Sequence, residues 1–185
     1  TSAISGYIPH RNQLPPDELL AALDSLSVGD WFDQKVVYTD VGLIMLGQII
    51  EKFYQAPVQT VIQNEVLIPL GLTESTFDPV KANCVPTEMT AARGLIQGDV
   101  HDPKAFILKE HCGSAGLFMS LNDLIKFAQW ILGITENDLL LRSTIDSLFN
   151  DWTTHLLCIS LGWDLSVSPD QPPWIYPTRS TGTYI

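Results

Sequence analysis

Apolar residues recur along much of this chain with a helical period. From Asp40 onward, Leu43, Leu46, Ile49, Ile50 and Phe53 fall three and four residues apart, which predicts an amphipathic helix burying that stripe. Asp40 stands where it could cap this helix. A second convincing helix opens at Ser120-Leu121-Asn122-Asp123, with Leu124, Phe127, Ala128, Ile131 and Leu132 as its expected buried face and Ser120 or Asn122 as its cap. Shorter helices are expected in three other places. Pro15-Pro16-Asp17-Glu18 supplies proline and acids to the first turn of one running to Leu23. Another covers Val58 to Leu67 and stops at Pro69-Leu70-Gly71, and a further one runs from Arg142 to Phe149. Ser27-Val28-Gly29-Asp30 has the residues of a turn. Between Thr73 and Pro103 the period lapses among Asp78-Pro79, Val85-Pro86 and Asp102-Pro103, predicting a long irregular segment of the kind that packs over a site. After residue 160 the pattern changes. Leu161 to Val167 alternates as a strand does, and Trp174-Ile175-Tyr176 could start another. The expected class is mainly α with a few C-terminal strands: residues 1–160 mostly helical, and 161–185 the start of an antiparallel sheet.

Composition narrows what such a chain can do. Its 185 residues suffice for one domain with a real core, and 45% hydrophobic against 17% charged argues for a globular protein. A net charge of −11 repels phosphate backbones and anionic bilayers, so neither nucleic acid nor a membrane surface is an expected partner. The longest apolar stretch, Val41 to Ile50, is broken by Gly42, Gly47 and Gln48 and is far short of the roughly 20 residues that span a bilayer. The N-terminal sequence lacks the basic start and apolar block of a signal peptide, although a signal would be missing if the chain begins mid-protein. The compartment therefore stays open: a soluble protein, cytoplasmic or exported to a bacterial surface.

Little metal or cofactor chemistry is indicated. Cys84, Cys112 and Cys158 lack zinc or disulfide spacing and are expected as free thiols. His101-Asp102 and His111-Cys112 are the close clusters of possible ligands, and neither has a recognised metal spacing, so no metal and no cofactor is expected. P-loop, dinucleotide and nucleophile-elbow patterns do not occur, which leaves Ser114 in His111-Cys112-Gly113-Ser114-Ala115-Gly116 as a loop residue.

The informative element is Val37-Tyr38-Thr39-Asp40, just ahead of the strongest helix. A tyrosine at a helix N-terminus sits near the positive end of the dipole, which favours its phenolate, so Tyr38 can act as a general base. The alternative is a packing Tyr38 and an Asp40 that only caps. With the helix that follows, this segment resembles the Tyr-x-Asn region of serine β-lactamases, and more closely the branch holding AmpC-like β-lactamases, D-alanyl-D-alanine carboxypeptidases and related esterases. Other segments agree in order. Thr1-Ser2-Ala3-Ile4-Ser5-Gly6 resembles the tail of an "H-T-S-G-I" segment, and Ile68 to Phe77 resembles "P-L-G-M-x-x-T-x-F". Arg93-Gly94 with Gly98 to Asp102 is similar to "R-G-x-x-x-G-x-V-H-D", Ala115 to Leu124 to "A-G-L-x-S-T-x-x-D-L", and Leu161-Gly162-Trp163 to "L-G-W".

The resemblance implies the helical subdomain and part of the core sheet of the β-lactamase/transpeptidase-like α+β fold. It also implies acyl transfer: a Ser-x-x-Lys serine attacks a carbonyl, lysine and tyrosine manage its proton, and water releases the acyl group. On that carry-over Tyr38 is the proton relay, and Asp40 stands where Asn commonly holds the substrate amide and the lysine. Asp accepts from lysine but donates to a carbonyl only if protonated. The family's Lys/His-Thr-Gly strand falls on the tail. One register reads Pro177-Thr178-Arg179, the other Ser180-Thr181-Gly182, so Arg179, Ser180, Thr181 and Gly182 are the candidate substrate-binding residues. Arg179 could supply positive charge without shuttling a proton.

One departure outweighs the others. The residues three before each lysine are Phe32, Ile49, Asp78, His101, Phe106 and Asp123, so Ser-x-x-Lys is absent from these 185 residues and is expected upstream of Thr1. The expectation is a serine-hydrolase fragment, inactive alone, whose parent acts on a β-lactam, a D-Ala-D-Ala peptide or a small ester. The competing expectation is a degenerate relative that binds peptidoglycan or peptide without catalysis. Self-association through unpaired sheet edges is a third possibility.

Overall fold

The computed structural model of the chain describes residues 14–30 and 39–149. In these, six α-helices and one small hairpin follow in the order α1 (Pro16–Asp24), α2 (Val41–Tyr54), α3 (Val58–Ile62), β1 (Glu88–Thr90), β2 (Gly94–Ile96), α4 (Pro103–Leu108), α5 (Leu121–Ile131) and α6 (Arg142–Ser147). The described residues are mainly helical, as the sequence leads one to expect. The predicted strands at 161–167 and 174–176, Tyr38, and residues 179–182 lie outside the described residues.

Two hydrophobic clusters hold the described part together. The first joins Leu19 and Leu23 of α1, Val41 and Ile44 of α2, and Ala105 and Leu108 of α4 to Cys112. The second gathers Trp130 and Ile131 of α5 with Ile145 and Phe149 around α6, and Phe127 meets Trp130 at 5.8 Å between ring centroids. Helix α1 begins as its sequence suggests, with Pro16, Asp17 and Glu18 in the first turn. Helix α3 runs on through a π-helical turn over Gln63–Leu67 and gives way at Pro69-Leu70-Gly71, Gly71 taking a positive φ of 67°. Cys112 is buried and Cys84 half-buried, both as free thiols. Among the described residues, no helix is long and apolar enough to cross a membrane.

Three expectations need correction. Helix α2 buries Val41, Ile44 and Gly47, while Leu43, Leu46, Ile49 and Phe53 of the predicted stripe are exposed and Ile50 is only half-buried. The cause is close approach. A Cβ on Gly113 would lie 2.7 Å from the Leu43 carbonyl oxygen, and one on Gly47 would lie 3.2 Å from the Gly113 backbone. The loop therefore fits against the small-residue side of the helix. Helix α5 keeps the expected Ser120 cap on the Asp123 N–H but buries Asp123, Trp130 and Ile131. Leu124, Ala128 and Leu132 are exposed, and Phe127 is half-buried. A buried aspartate is invisible to a rule that tracks apolar periodicity. The segment 73–103 is not wholly irregular, since β1 and β2 pair antiparallel within it with Met89 opposite Leu95.

Candidate functional site

The first helical cluster carries a charged pair at its edge. Asp40 sits at the start of α2, its carbonyl accepting the Ile44 N–H at 2.9 Å. Its carboxylate makes no capping hydrogen bond, contrary to the expected role. Thr39 Oγ1 instead accepts the Val41 N–H at 3.2 Å. The Asp40 carboxylate Oδ2 meets the ammonium of Lys104, in the first turn of α4. Lys104 is buried, with 6% of its surface exposed, and the Asp40 side chain retains 20%.

The scaffold that delivers Lys104 explains one of the resembling segments. Arg93 donates from Nη2 to the Val100 carbonyl at 2.6 Å and from Nη1 to that of His101 at 3.2 Å. It also pairs with Asp99 at 3.1 Å and stacks its guanidinium 3.8 Å from the Phe106 ring centroid. One side chain thus ties the hairpin end to the approach of α4. Gly98, at φ 62°, lets the chain cross residue 81, where a Cβ would come within 2.5 Å of the Lys81 Cα. Asp102 then caps α4 by accepting the Ala105 N–H at 2.8 Å, and Pro103 occupies its first turn. His101 is spent on the surface, 2.8 Å from Glu88. The Arg-Gly to His-Asp segment is a bracket, and Lys104 is what it presents.

The other resembling segments form a second bracket. Thr76 and Phe118 exchange backbone hydrogen bonds at 2.9 Å, joining the segment after Gly71 to the one before α5. Asp123 is fully buried. It accepts from the Glu74 N–H at 2.7 Å, the Ser75 hydroxyl at 2.9 Å and the Lys126 ammonium at 2.8 Å. Burial pushes its carboxyl up, but the hydrogen bonds from Lys126, Ser75 and Glu74, with the Lys126 charge, outweigh this and hold it below the usual carboxylate value. Ser114 spends its hydroxyl on Cys112 Sγ at 3.2 Å, consistent with a loop role. A shallow depression between Leu70, Trp130 and Asn137 shares no lining residue with the Asp40–Lys104 pair.

Of the candidate site residues, then, the described part places Asp40 and brings it to Lys104. Tyr38, Arg179, Ser180, Thr181 and Gly182 fall outside the described residues. Sequence reasoning overlooked Lys104, although a signal existed. A basic residue in the first turn of a helix opposes the macrodipole, and this one heads the apolar run Ala105-Phe106-Ile107-Leu108, so it needed a countercharge from elsewhere.

Comparison with known proteins adds to this geometry. The family model described as Beta-lactamase matches residues 1–185. A protein of Escherichia coli O157:H7 provisionally named D-alanyl-D-alanine carboxypeptidase is 26% identical over 213 residues, covering 97% of this chain and 49% of the relative. An N-acetylmuramyl-L-alanine amidase of Bacillus subtilis (strain 168) is 27% identical over 81% of this chain and 38% of its own length. The chain thus spans about half, or less, of the curated relatives it matches. In structure it resembles the Beta-lactamase/D-alanine Carboxypeptidase from Yersinia pestis with a TM-score of 0.56 and 18% identity, over 88% of this chain and 50% of that one. That likeness establishes the fold.

Proposed function

The chain belongs to the Beta-lactamase family, and we propose that it forms the helical part of a serine hydrolase that works through an acyl-enzyme on a β-lactam, a D-Ala-D-Ala peptide or a small ester. The observation that carries this reading is the start of α2. Tyr38 precedes by two residues an Asp40 whose carboxylate faces a buried ammonium, which is an investment in charge that a mere helix cap does not require. The curated relatives above, named for carboxypeptidase and amidase activities on peptide or amide bonds, support the substrate class.

On this reading the nucleophilic serine and its lysine come from a part of the protein outside these 185 residues. The serine oxygen adds to the substrate carbonyl while its proton passes towards Tyr38 and the lysine. Collapse of the tetrahedral adduct then breaks the amide or ester bond and protonates the leaving group. Water reverses the sequence and frees the acid. The tail containing Arg179, Ser180, Thr181 and Gly182 binds the substrate's carboxylate end and offers a backbone N–H to the oxyanion. Alone, the 185 residues have nothing for Tyr38 to activate.

A fluorescent penicillin tests the reading. The full-length protein is expected to take the label covalently, surviving denaturing electrophoresis, and Tyr38→Phe is expected to lower the labelling rate at least a hundredfold. The 185-residue chain is expected to take none. Saturable binding that vanishes on denaturation would favour instead a non-catalytic peptidoglycan- or peptide-binding relative, the reading to which the altered Lys/His-Thr-Gly tail lends weight.

A further inference from the structure

We propose that residues 109–116 form a strap, strained at its first residue and latched by Gln59, that opens off α2 as a unit while the two brackets stay closed. The inference is independent of the hydrolase reading. It begins from the backbone at Lys109, directly after α4, with φ 51° and ψ −126°. Among the described residues one other non-glycine residue has a positive φ, Gln55. It sits at φ 53° and ψ 37°, the left-handed position in which helices commonly end. Lys109 differs: its angles are those of the first corner of a mirror-image turn, which glycine fills freely and a lysine holds only with strain. The strain sets the direction of one carbonyl. The Lys109 oxygen accepts from the Gln59 side-chain amide at 2.9 Å and from the Cys112 N–H at 3.0 Å.

Gln59 gathers both ends of the strap. It is 9% exposed, and a Cβ on Gly116 would lie 3.0 Å from the same amide nitrogen that reaches Lys109. Between the ends the hold is light. His111 Nδ1 lies 2.8 Å from Glu51 Oε1, an oxygen that also accepts the Val58 N–H at 2.8 Å. Gly113 rests against the Leu43 carbonyl and Gly47, and Cys112 joins the first cluster with Ala115 partly buried beside it. Resistance to local opening grows with the apolar area kept from water, and Cys112-Gly113-Ser114-Ala115-Gly116 contributes little beside the leucines, valine and isoleucine that join α1, α2 and α4. Strain at Lys109 favours opening further, because it is released when the strap lifts. The Gln59 hydrogen bond opposes that release. Opening draws Cys112 out of the cluster and lifts Gly113 from Leu43, which uncovers the small-residue side of α2.

Cys112 reports the opening directly, since a thiol 1% exposed reacts only once it is uncovered. The test treats the folded full-length protein with iodoacetamide over a series of low urea concentrations. Alkylation of Cys112 is followed by peptide mass spectrometry, and the urea midpoint of each variant is measured alongside. In the wild type, alkylation is expected to proceed at a rate that hardly changes with urea well below the midpoint. Lys109→Gly removes the strain and is expected to slow alkylation about tenfold. Lys109→Ala, which loses the side chain but keeps the strained angles, is expected to stay within about twofold of the wild type. Gln59→Met, which removes the latch, is expected to quicken alkylation about tenfold or more. Lys109→Gly steadies the closed strap, so it decides the matter should Gln59→Met fail to fold. Wild-type alkylation that tracks global unfolding at every urea concentration, or a Lys109→Gly protein that reacts no more slowly than Lys109→Ala, overturns the proposal.

Discussion

Asp40 and Asp123 are both carboxylates beside a lysine at the start of a helix, yet they do opposite things. Asp123 is fully buried and shares its oxygens among a backbone N–H, a hydroxyl and an ammonium. Its lysine, with the side chain 47% exposed, reaches in from solvent. Asp40 keeps a fifth of its side chain in solvent, and there the lysine is the buried partner. The first arrangement consumes a charge to lock two chain segments. The second holds a charge at the edge of the core, where something else can still approach it. Asp123, fully satisfied, works as scaffold, whereas Asp40 keeps an exposed edge beside a buried countercharge.

The largest effect should come from breaking the lock. Asp123→Ala leaves the buried Ser75 hydroxyl and the partly buried Glu74 N–H without their acceptor, at about 1–3 kcal/mol for the first and less for the second, so a loss of about 2–4 kcal/mol is expected from urea denaturation. A loss below about 1 kcal/mol would mean that water replaces the carboxylate and that the lock is looser than drawn. Acid should reach the same point by another route. Because the folded carboxyl lies below its unfolded value, its stabilisation is complete above the unfolded value near pH 4 and is lost as pH falls through the folded one. Thermal melts at stepped pH should show this acid loss in the wild type and a shallower one in Asp123→Asn. Parallel curves would assign the acid sensitivity to other carboxylates.

The next effect belongs to the pair. Asp40→Asn strands the Lys104 charge and is expected to cost about 1–3 kcal/mol, less than a fully buried pair because Asp40 is partly solvated. Asp40→Asn/Lys104→Met should cost less than the sum of its single variants by about 1–2 kcal/mol. Additive losses would show that the two residues do not depend on each other, and the contrast with Asp123 would shrink to one of exposure.

The same contrast explains what a sequence reveals. The helices at 16–24, 41–54, 121–131 and 142–147 could be anticipated because proline, acids, a serine cap and repeated apolar positions act locally. The buried faces could not. On α2, the Gly47–Gly113 approach selects the small side, whereas periodicity favours the larger Leu43, Leu46 and Phe53. On α5, Asp123 is buried because Glu74 and Ser75, 49 and 48 residues away, supply its donors. Asp40 was visible as a candidate because it precedes a strong helix. Lys104 was not, because its meaning depends on a partner 64 positions earlier, brought to it by the Arg93 bracket.

The smallest expected effect separates capping from pairing at the head of α2. If Asp40 is committed to Lys104, the first N–H groups of the helix rely on Thr39, whose hydroxyl accepts from Val41. Thr39→Ala should then cost about 0.5–1 kcal/mol, the low end for a lost cap because the bond is long at 3.2 Å. Hydrogen exchange at the Val41 amide should quicken in Thr39→Ala and hold its wild-type rate in Asp40→Asn/Lys104→Met, where the hydroxyl remains. Faster exchange in the double variant alone would return the cap to Asp40. The carboxylate would then be an ordinary helix-starting residue, and the contrast between the two aspartates would reduce to one of exposure.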